Sequence, residues 1–235
     1  MKNRFYGDVN DYIKYGILDI LSNHYNTIGI NWYLTDDRHG KESDGNIDRH
    51  INNEKQWRGF NSRIFDALKN RLQLGQRDIK YCREDELIDF KHEFTEQLPD
   101  NALHRDYEAL RKGWHARAKN HLAECDLVFF DPDIGIIDQL SKGVVKNSEY
   151  CLTSEIEDYD WCEWIIVIFP RRSKRYPALK DNPIVRSAEK RNKKVMVFIY
   201  GGMALLYISK TLQAEILSRV FKEWDTKVET KILVP

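Results

Sequence analysis

The stretch that decides the predicted fold is Leu127-Val128-Phe129-Phe130-Asp131-Pro132-Asp133-Ile134-Gly135. Its first four residues are apolar without polar alternation, which is typical of a strand buried on both faces in a parallel sheet. Pro132 has no N–H to donate to a neighbouring strand, so the strand ends before it. Asp131 and Asp133 are thus predicted at the carboxyl edge of a buried strand, where open α/β sheets bind ligands. The simpler interpretation is an ordinary Asp-Pro turn.

Strand and helix patterns alternate on both sides of that stretch. The other predicted strands span residues 28–34, 79–82, 164–169, 195–200, 204–209 and 228–234, and the predicted helices span 9–25, 57–72, 84–97, 103–122, 149–158, 182–192 and 211–224. This order predicts one α/β domain over residues 1–235, with a doubly wound, mostly parallel sheet. Gly201-Gly202-Met203 between two strands predicts a C-terminal antiparallel hairpin. The polar residues 38–56 predict a long loop, of a kind more often functional than idle.

The composition excludes several classes of protein. Among 235 residues, 37 basic side chains balance 37 acidic ones, so net charge gives no general attraction to nucleic acids or membranes. No stretch approaches the roughly 18 apolar residues of a membrane span, and residues 1–4 lack the apolar core of a signal peptide. The four cysteines include no CxxC pair, which favours reduced thiols over disulfides or a zinc site. We therefore expect a cytoplasmic protein that does not bind membranes.

Acidic residues follow three of the predicted strands. They are Asp36 and Asp37 after the first strand, Glu84 and Asp85 after the second, and Asp131 and Asp133 after the strand at 127–130. Because parallel strands end at one edge of a sheet, we expect Asp36, Glu84 and Asp131 to lie along a common edge. Carboxylates at such an edge can hold a ribose hydroxyl, an amine or a metal ion.

Basic residues suggest two surfaces that can bind phosphates. The first surface follows the predicted strand at 164–169 and comprises Arg171, Arg172, Lys174 and Arg175, which we expect to contact nucleic acid. The second surface is one face of the helix at 103–122, where Arg111, His115 and Lys119 follow at intervals of four residues. A solvated face or local ion pairs would explain the same pattern. His39 and His50 lie in the polar loop, where lone histidines usually bind no metal.

Three landmarks along the chain resemble a known family. The segment Tyr6-Gly7-Asp8-Val9-Asn10-Asp11-Tyr12-Ile13-Lys14-Tyr15 is similar to the Gly-Asn-x-x-Asp-Val-Leu-Lys-His start of bacterial ribosomal-RNA adenine-N6 methyltransferases. Thr35-Asp36-Asp37 stands where that family has a strand ending in Asp-Thr-His-Ala-Gly. Asp131-Pro132-Asp133-Ile134 stands where it has its catalytic Asp-Pro-Pro-Tyr. The chain also resembles a group of uncharacterised bacterial proteins with the pattern GDxxDYxKYG…DPDxG.

The resemblance implies a Rossmann-like class I methyltransferase fold with S-adenosylmethionine as its cofactor. Lys14 would pair with the cofactor's carboxylate, near Asp11, and Asp36 or Glu84 would hold its amino group or ribose. Asp131, with Asp133 beside it, would be catalytic and would orient the amine of a nucleic acid or nucleotide. Methyl transfer asks mainly for alignment of two reactants, so one positioning carboxylate can suffice. Alternatively, Lys14 is a surface residue that pairs with Asp11.

Departures from the family pattern keep two other functions open. Asp37-Arg38-His39-Gly40 replaces the glycine-rich loop that cradles the cofactor, and the second Pro and the base-stacking aromatic of the catalytic signature are missing. One alternative is a metal-dependent nuclease or phosphohydrolase. Its Mg²⁺ would be held by Asp131, Asp133 and Asp36, with Glu155 or Lys146 assisting. The other is a binding module that has a methyltransferase fold without catalysis.

Overall fold

The computed structural model describes residues 1–37, 48–100, 106–140, 147–169, 179–211, 214–224 and 226–235. The helices are α1 (Val9–Ser22), α2 (Glu54–Trp57), α3 (Ser62–Gln73), α4 (Lys80–Glu84), α5 (Tyr107–His121), α6 (Thr153–Glu157), α7 (Pro183–Lys190) and α8 (Ala214–Trp224). The strands are β1 (Ile28–Asn31), β2 (His92–Phe94), β3 (Leu127–Phe130), β4 (Gly135–Ile137), β5 (Tyr150–Leu152), β6 (Glu163–Ile168), β7 (Lys194–Tyr200), β8 (Met203–Ser209) and β9 (Glu229–Val234).

Seven of these strands form a single sheet in the order β2-β1-β3-β6-β8-β7-β9. Strands β2, β1, β3 and β6 are parallel to one another, whereas β8 lies antiparallel between β6 and β7. Strand β9 adds an antiparallel edge to β7, and β4 and β5 form a separate parallel pair. The predicted α/β class, the largely parallel centre and the C-terminal hairpin are therefore confirmed.

The sheet is covered by helices on both faces. Along β3, Leu127 and Phe129 face a core shared with α1, α3 and α8, whereas Val128 and Phe130 face a core shared with α5, α6 and α7. All four side chains are fully buried. A strand with two buried faces gives the continuous apolar run seen in the sequence, because alternate residues enter different cores.

Helix α1 begins where the sequence predicts. The carboxylate of Asp8 accepts the backbone N–H groups of Asn10 and Asp11, which have no partner inside the helix. Ile13, Ile17 and Ile20 lie on its buried face, as their spacing indicates. Gly16 lets the helix approach α8 closely, because a Cβ there would lie 2.2 Å from the indole of Trp224. The helix thus packs tightly against α8.

Several boundaries and one strand were predicted wrongly. Residues 79–82 do not form a strand, since α4 begins at Lys80, and the segment 84–97, predicted as a helix, contains β2. The segment predicted as a helix at 149–158 begins with β5 before α6. The end of the predicted loop at 38–56 is helical, with a 3-10 turn at Ile51–Asn53 before α2.

The structure also bears on the predictions for the cysteines, for membrane-spanning helices and for the polar loop. All four cysteines are free and buried. Among the described residues, no helix combines the length and apolar composition needed to cross a membrane. The predicted basic segment with Arg171, Arg172, Lys174 and Arg175 lies outside the described residues, as do Lys146, His39 and most of the predicted loop. His50 is fully buried and stacks on Tyr12, so it belongs to an aromatic cluster and not to an open loop.

Candidate functional site

Lys14 and Asp131 meet at the carboxyl edge of the sheet. The Lys14 ammonium donates to Asp131 Oδ2 at 2.8 Å and lies 2.6 Å from Asp11 Oδ1. All three side chains are 4% exposed or less. Lys14 therefore does pair with Asp11, but it is not a surface residue: helix α1 brings it against the residue that follows β3.

A second set of charges surrounds Asp133. One carboxylate oxygen lies 3.0 Å from the amino group of Met1, and the other lies 3.1 Å from the Lys2 ammonium and accepts the Thr35 hydroxyl at 2.7 Å. Lys2 also donates to Glu149 at 2.7 Å. This contact set ties the segment after β1 to the segment after β3, because Thr35 and Asp133 belong to those two segments.

The charges at this edge shift the pKa values of the carboxylates in opposite directions. Burial raises the pKa of Asp131 above its usual value, and the nearby Lys14 and Met1 ammonium groups offset this only in part. Burial also acts to raise the pKa of Asp133, but the Met1 amine and Lys2 outweigh it and the pKa is lowered. Asp131 is therefore the better proton acceptor of the two, since a higher pKa favours proton uptake.

Some hydrogen-bonding capacity at this edge is not used by the described residues. The Lys14 ammonium has three N–H donors, and Asp11 and Asp131 take two of them. No described residue donates to Asp131 Oδ1 through a side chain or backbone group. The hydroxyls of Tyr6 and Tyr15 are also buried with no partner in the described part of the chain. The edge thus offers a cationic donor next to a carboxylate oxygen.

Tyr33 connects this edge to a buried network on the other face of the sheet. Its φ of +45° is rare for a residue with a side chain and costs backbone energy. Its carbonyl accepts the Met1 amino group at 2.9 Å, and its hydroxyl donates to Glu155 at 3.1 Å. Glu155 in turn receives two hydrogen bonds from Arg111, at 2.6 and 2.8 Å. Strained residues with fixed contacts are frequent at functional sites.

The other predicted site residues are only partly brought together. Asp36 follows β1 and is half-buried, on the same edge as Asp131, because β1 and β3 are parallel neighbours. Glu84 ends α4 and not a strand, and its half-exposed carboxylate lies 3.4 Å from Arg71. The reason for grouping Glu84 with the strand ends was therefore wrong. Its cofactor role stays a prediction without that support.

The predicted basic face of α5 was also misjudged. Arg111 and His115 are buried against α6 and its end, where Arg111 contacts Glu155 and His115 lies 2.9 Å from Asp158. Lys119 lies over the ring of Trp161. The spacing of four residues correctly predicted a common face. It did not show that this face packs against the protein itself.

Lys2, Thr35 and Glu149 are contacts of the site that the sequence analysis missed. Lys2 and Glu149 are 147 positions apart, so no local pattern links them. Thr35 belongs to the landmark Thr35-Asp36-Asp37. Its polar side chain next to Asp36 was the signal that could have placed it in the site. The described residues include no group of three or more His, Cys, Asp or Glu side chains arranged to hold a metal ion.

Comparison of the chain with models of protein families and with curated proteins gave no match.

Proposed function

We propose that the protein is an S-adenosylmethionine-dependent methyltransferase that acts on an amine of a nucleic acid or nucleotide. The contact between Lys14 and Asp131 carries this proposal. These residues belong to two landmarks of the methyltransferase resemblance and are 117 positions apart, yet their side chains lie 2.8 Å apart. The bond from Thr35 to Asp133 brings in the middle landmark as well. All three landmarks thus meet at the edge where α/β sheets bind ligands.

The sheet order favours the same interpretation. The resemblance implies a Rossmann-like sheet with a C-terminal hairpin, and here β8 lies antiparallel between β6 and β7. Helices cover both faces, so ligands have access mainly along the edges of the sheet. Sheet architecture alone does not assign an activity. The proposal therefore depends on the side chains at the edge.

Those side chains fit the cofactor in charge. Lys14 has one N–H that the described residues leave unused, and it would pair with the cofactor's carboxylate. Asp36, half-buried after β1, would hold its amino group or ribose, and Asp11 keeps Lys14 in place at 2.6 Å. When bound, the cofactor supplies a methyl group that is activated by a sulfonium.

Asp131 would act on the substrate amine. Its Oδ1 accepts a hydrogen bond from the amine N–H and so directs the nitrogen lone pair toward the methyl group. Asp131, whose pKa is raised by burial, would take up the proton that the amine loses on methylation. Asp133 would keep Lys2 and the segment after β1 in position and would not itself take the proton, because its pKa is lowered.

The metal-dependent alternative is less well supported by the charges. Ammonium groups already neutralise the carboxylates that would bind Mg²⁺: Lys14 lies 2.8 Å from Asp131, and Lys2 lies 3.1 Å from Asp133. A divalent cation bound at these carboxylates would be repelled by the two ammonium groups that already lie beside them. Methyl transfer requires no divalent cation at these carboxylates.

A methyl-transfer assay tests the proposal. Purified protein is incubated with S-adenosylmethionine labelled in its methyl group and with RNA, DNA or a nucleotide mixture, and the label in each acceptor is counted. We expect transfer to one acceptor class and its loss in Asp131→Asn, which keeps an oxygen for Lys14. Asp66→Asn is the matched control, because Asp66 is half-exposed and pairs with Arg58 at the surface. Mg²⁺-dependent cleavage of the acceptor without labelling would favour the hydrolase instead.

A further inference from the structure

Two clefts adjoin one another beside α6. The first cleft lies between α5 and α6, has a volume of about 450 Å³ and includes Leu140 and Leu152 in its lining. The second cleft lies between α6 and α7 and has a volume of about 390 Å³. Ser154 lines both clefts, so a ligand that passes over this residue would occupy them together. Both volumes are in the range of small-molecule sites.

The second cleft is suited to bind a phosphate. Arg186, Lys190 and Arg191 line it together with two carboxylates, Asp138 and Glu157. The guanidinium groups of Arg186 and Arg191 lie 3.9 and 3.7 Å from these carboxylates, which is longer than a hydrogen bond. The described residues therefore leave their donors available, and planar guanidinium groups bind phosphate oxygens through two parallel hydrogen bonds.

The two carboxylates of the second cleft are already engaged by hydroxyl groups. Thr153 Oγ1 donates to Asp138 Oδ1 at 2.9 Å, and the Ser187 hydroxyl donates to Glu157. These hydrogen bonds hold the carboxylates against the protein. With three cations and two anions, the lining of the second cleft carries a net positive charge.

The first cleft differs, because its buried cation has no donor left for a ligand. Arg111 uses all five of its N–H groups: two bond to Glu155, and the others bond to the Tyr107 hydroxyl and to the carbonyls of Asn147 and Tyr150. A phosphate would therefore gain little from Arg111. Lys112 also lines this cleft, but the three carboxylates of Glu108, Glu155 and Asp158 outnumber the two cations, so the lining disfavours a phosphate. The first cleft is therefore better suited to an uncharged part of the ligand.

The remaining lining of the first cleft matches a flat ring with an amino group. Leu140 and Leu152 supply apolar contact area for the faces of a ring. Asp158, with a half-exposed side chain, and Glu108 supply acceptors at the rim. Carboxylates accept hydrogen bonds from the exocyclic amines of nucleobases.

We propose that the two clefts form one binding site for a nucleotide with an amino-bearing base. The base occupies the first cleft, the ribose crosses Ser154, and the phosphate binds Arg186 and Arg191 in the second cleft. This inference does not depend on the proposed methyltransferase activity, because Lys14 and Asp131 line neither cleft.

Titration calorimetry at constant ionic strength tests the site with adenosine monophosphate, adenosine, inosine monophosphate and inorganic phosphate. We expect adenosine monophosphate to bind about tenfold more tightly than adenosine, and inorganic phosphate to bind more weakly still. The double variant Arg186→Ala/Arg191→Ala should lower the affinity for adenosine monophosphate to that for adenosine and leave adenosine binding unchanged. The control Arg58→Ala/Arg219→Ala removes two similarly exposed, ion-paired arginines elsewhere and should change nothing.

Four further outcomes test the parts of the proposal. Inosine monophosphate, which lacks the amino group, should bind more weakly than adenosine monophosphate. Equal affinities for adenosine and adenosine monophosphate would overturn the proposal, as would full nucleotide binding by the variant without Arg186 and Arg191. Nucleotide binding that is lost in Asp131→Asn and kept in the arginine variant would place the ligand at the sheet edge, and would also overturn it.

Discussion

Replacing Lys14 should destabilise the protein far more than replacing a surface lysine. Lys14 is 3% exposed and lies between Asp11 and Asp131, which are 1% and 2% exposed. Lys14→Met keeps most of the side-chain volume but leaves two buried carboxylates without their counter-ion. Removal of one partner of a buried ion pair costs about 3–5 kcal/mol of the free energy of unfolding. We expect a loss in this range at neutral pH.

Urea denaturation followed by tryptophan fluorescence measures that loss. Lys69→Met is the matched control, because Lys69 pairs with Glu54 on the surface, where both side chains are about a third exposed or more. Such exposed pairs contribute at most about 1 kcal/mol. Adding Asp131→Asn to Lys14→Met should restore part of the loss, by about 0.5–3 kcal/mol of coupling. A loss for Lys14→Met no larger than that of the control would refute the buried ion pair.

Three further variants test two buried carboxylates, Asp8 and Asp133, and the packing of α1 at Gly16. Burial, and to a smaller extent the nearby Asp11 carboxylate, raises the pKa of Asp8 to about 7. Between about pH 4 and 7 the folded protein therefore keeps a proton that the unfolded chain has lost, so the free energy of unfolding should fall as the pH rises through this range. In urea denaturation, Asp8→Asn should reduce the dependence of the free energy of unfolding on pH. An unchanged dependence would contradict the raised pKa of Asp8. Asp133 has a lowered pKa, so its stabilisation is present above about pH 4 and is lost as the pH falls through the lowered value. Asp133→Asn should therefore have a lower free energy of unfolding than the wild type at pH 7. The difference between the two proteins should become smaller toward pH 2, where Asp133 of the wild type becomes protonated. Gly16→Ala should lower the free energy of unfolding by about 1–3 kcal/mol, because the new methyl group would overpack against Trp224. Gly59→Ala is the control, because the new methyl group there would enter open space. Equal melting temperatures of the two variants would contradict the close approach of α1 to Trp224.

The sequence predicted best the elements that have a continuous apolar run or a residue type that marks their boundary. The apolar run of β3 identified a doubly buried strand, and Asp8 marked the start of α1. Gly201 sits at the hairpin with a φ of +54°, a conformation that favours glycine. In each case the local residue types are those that the observed backbone requires.

Short elements were predicted poorly because their patterns are ambiguous. Ile79 and Cys82 are both buried and three residues apart, which places them on one face of a helix but on opposite faces of a strand. A segment of four residues is too short for its pattern to show which period applies. The true second strand, β2, has only three residues. Glu84 was misplaced as a result, because its expected position depended on a strand at 79–82.

The sequence analysis named Lys14 and Asp131 as candidate site residues but did not predict that they contact each other. A lysine in an amphipathic helix is ordinarily placed on the exposed face, and nothing near Lys14 shows that Asp131 will cover it. Asp131 itself follows a strand, which suggests few core contacts, yet it is buried beside Lys14. Such pairs arise from tertiary packing between distant segments, so local sequence patterns do not contain them.

Titration of the protein with S-adenosylmethionine is the most direct test of the central claim, that Lys14 and Asp131 form one cofactor and substrate site. The absence of the usual glycine-rich loop leads us to expect weak binding, at about −6 kcal/mol or tens of micromolar. Lys14→Met should weaken it further and Lys69→Met should not, at a temperature where circular dichroism shows all three proteins folded. No heat at millimolar cofactor, or equal binding by wild type and Lys14→Met, would contradict the claim.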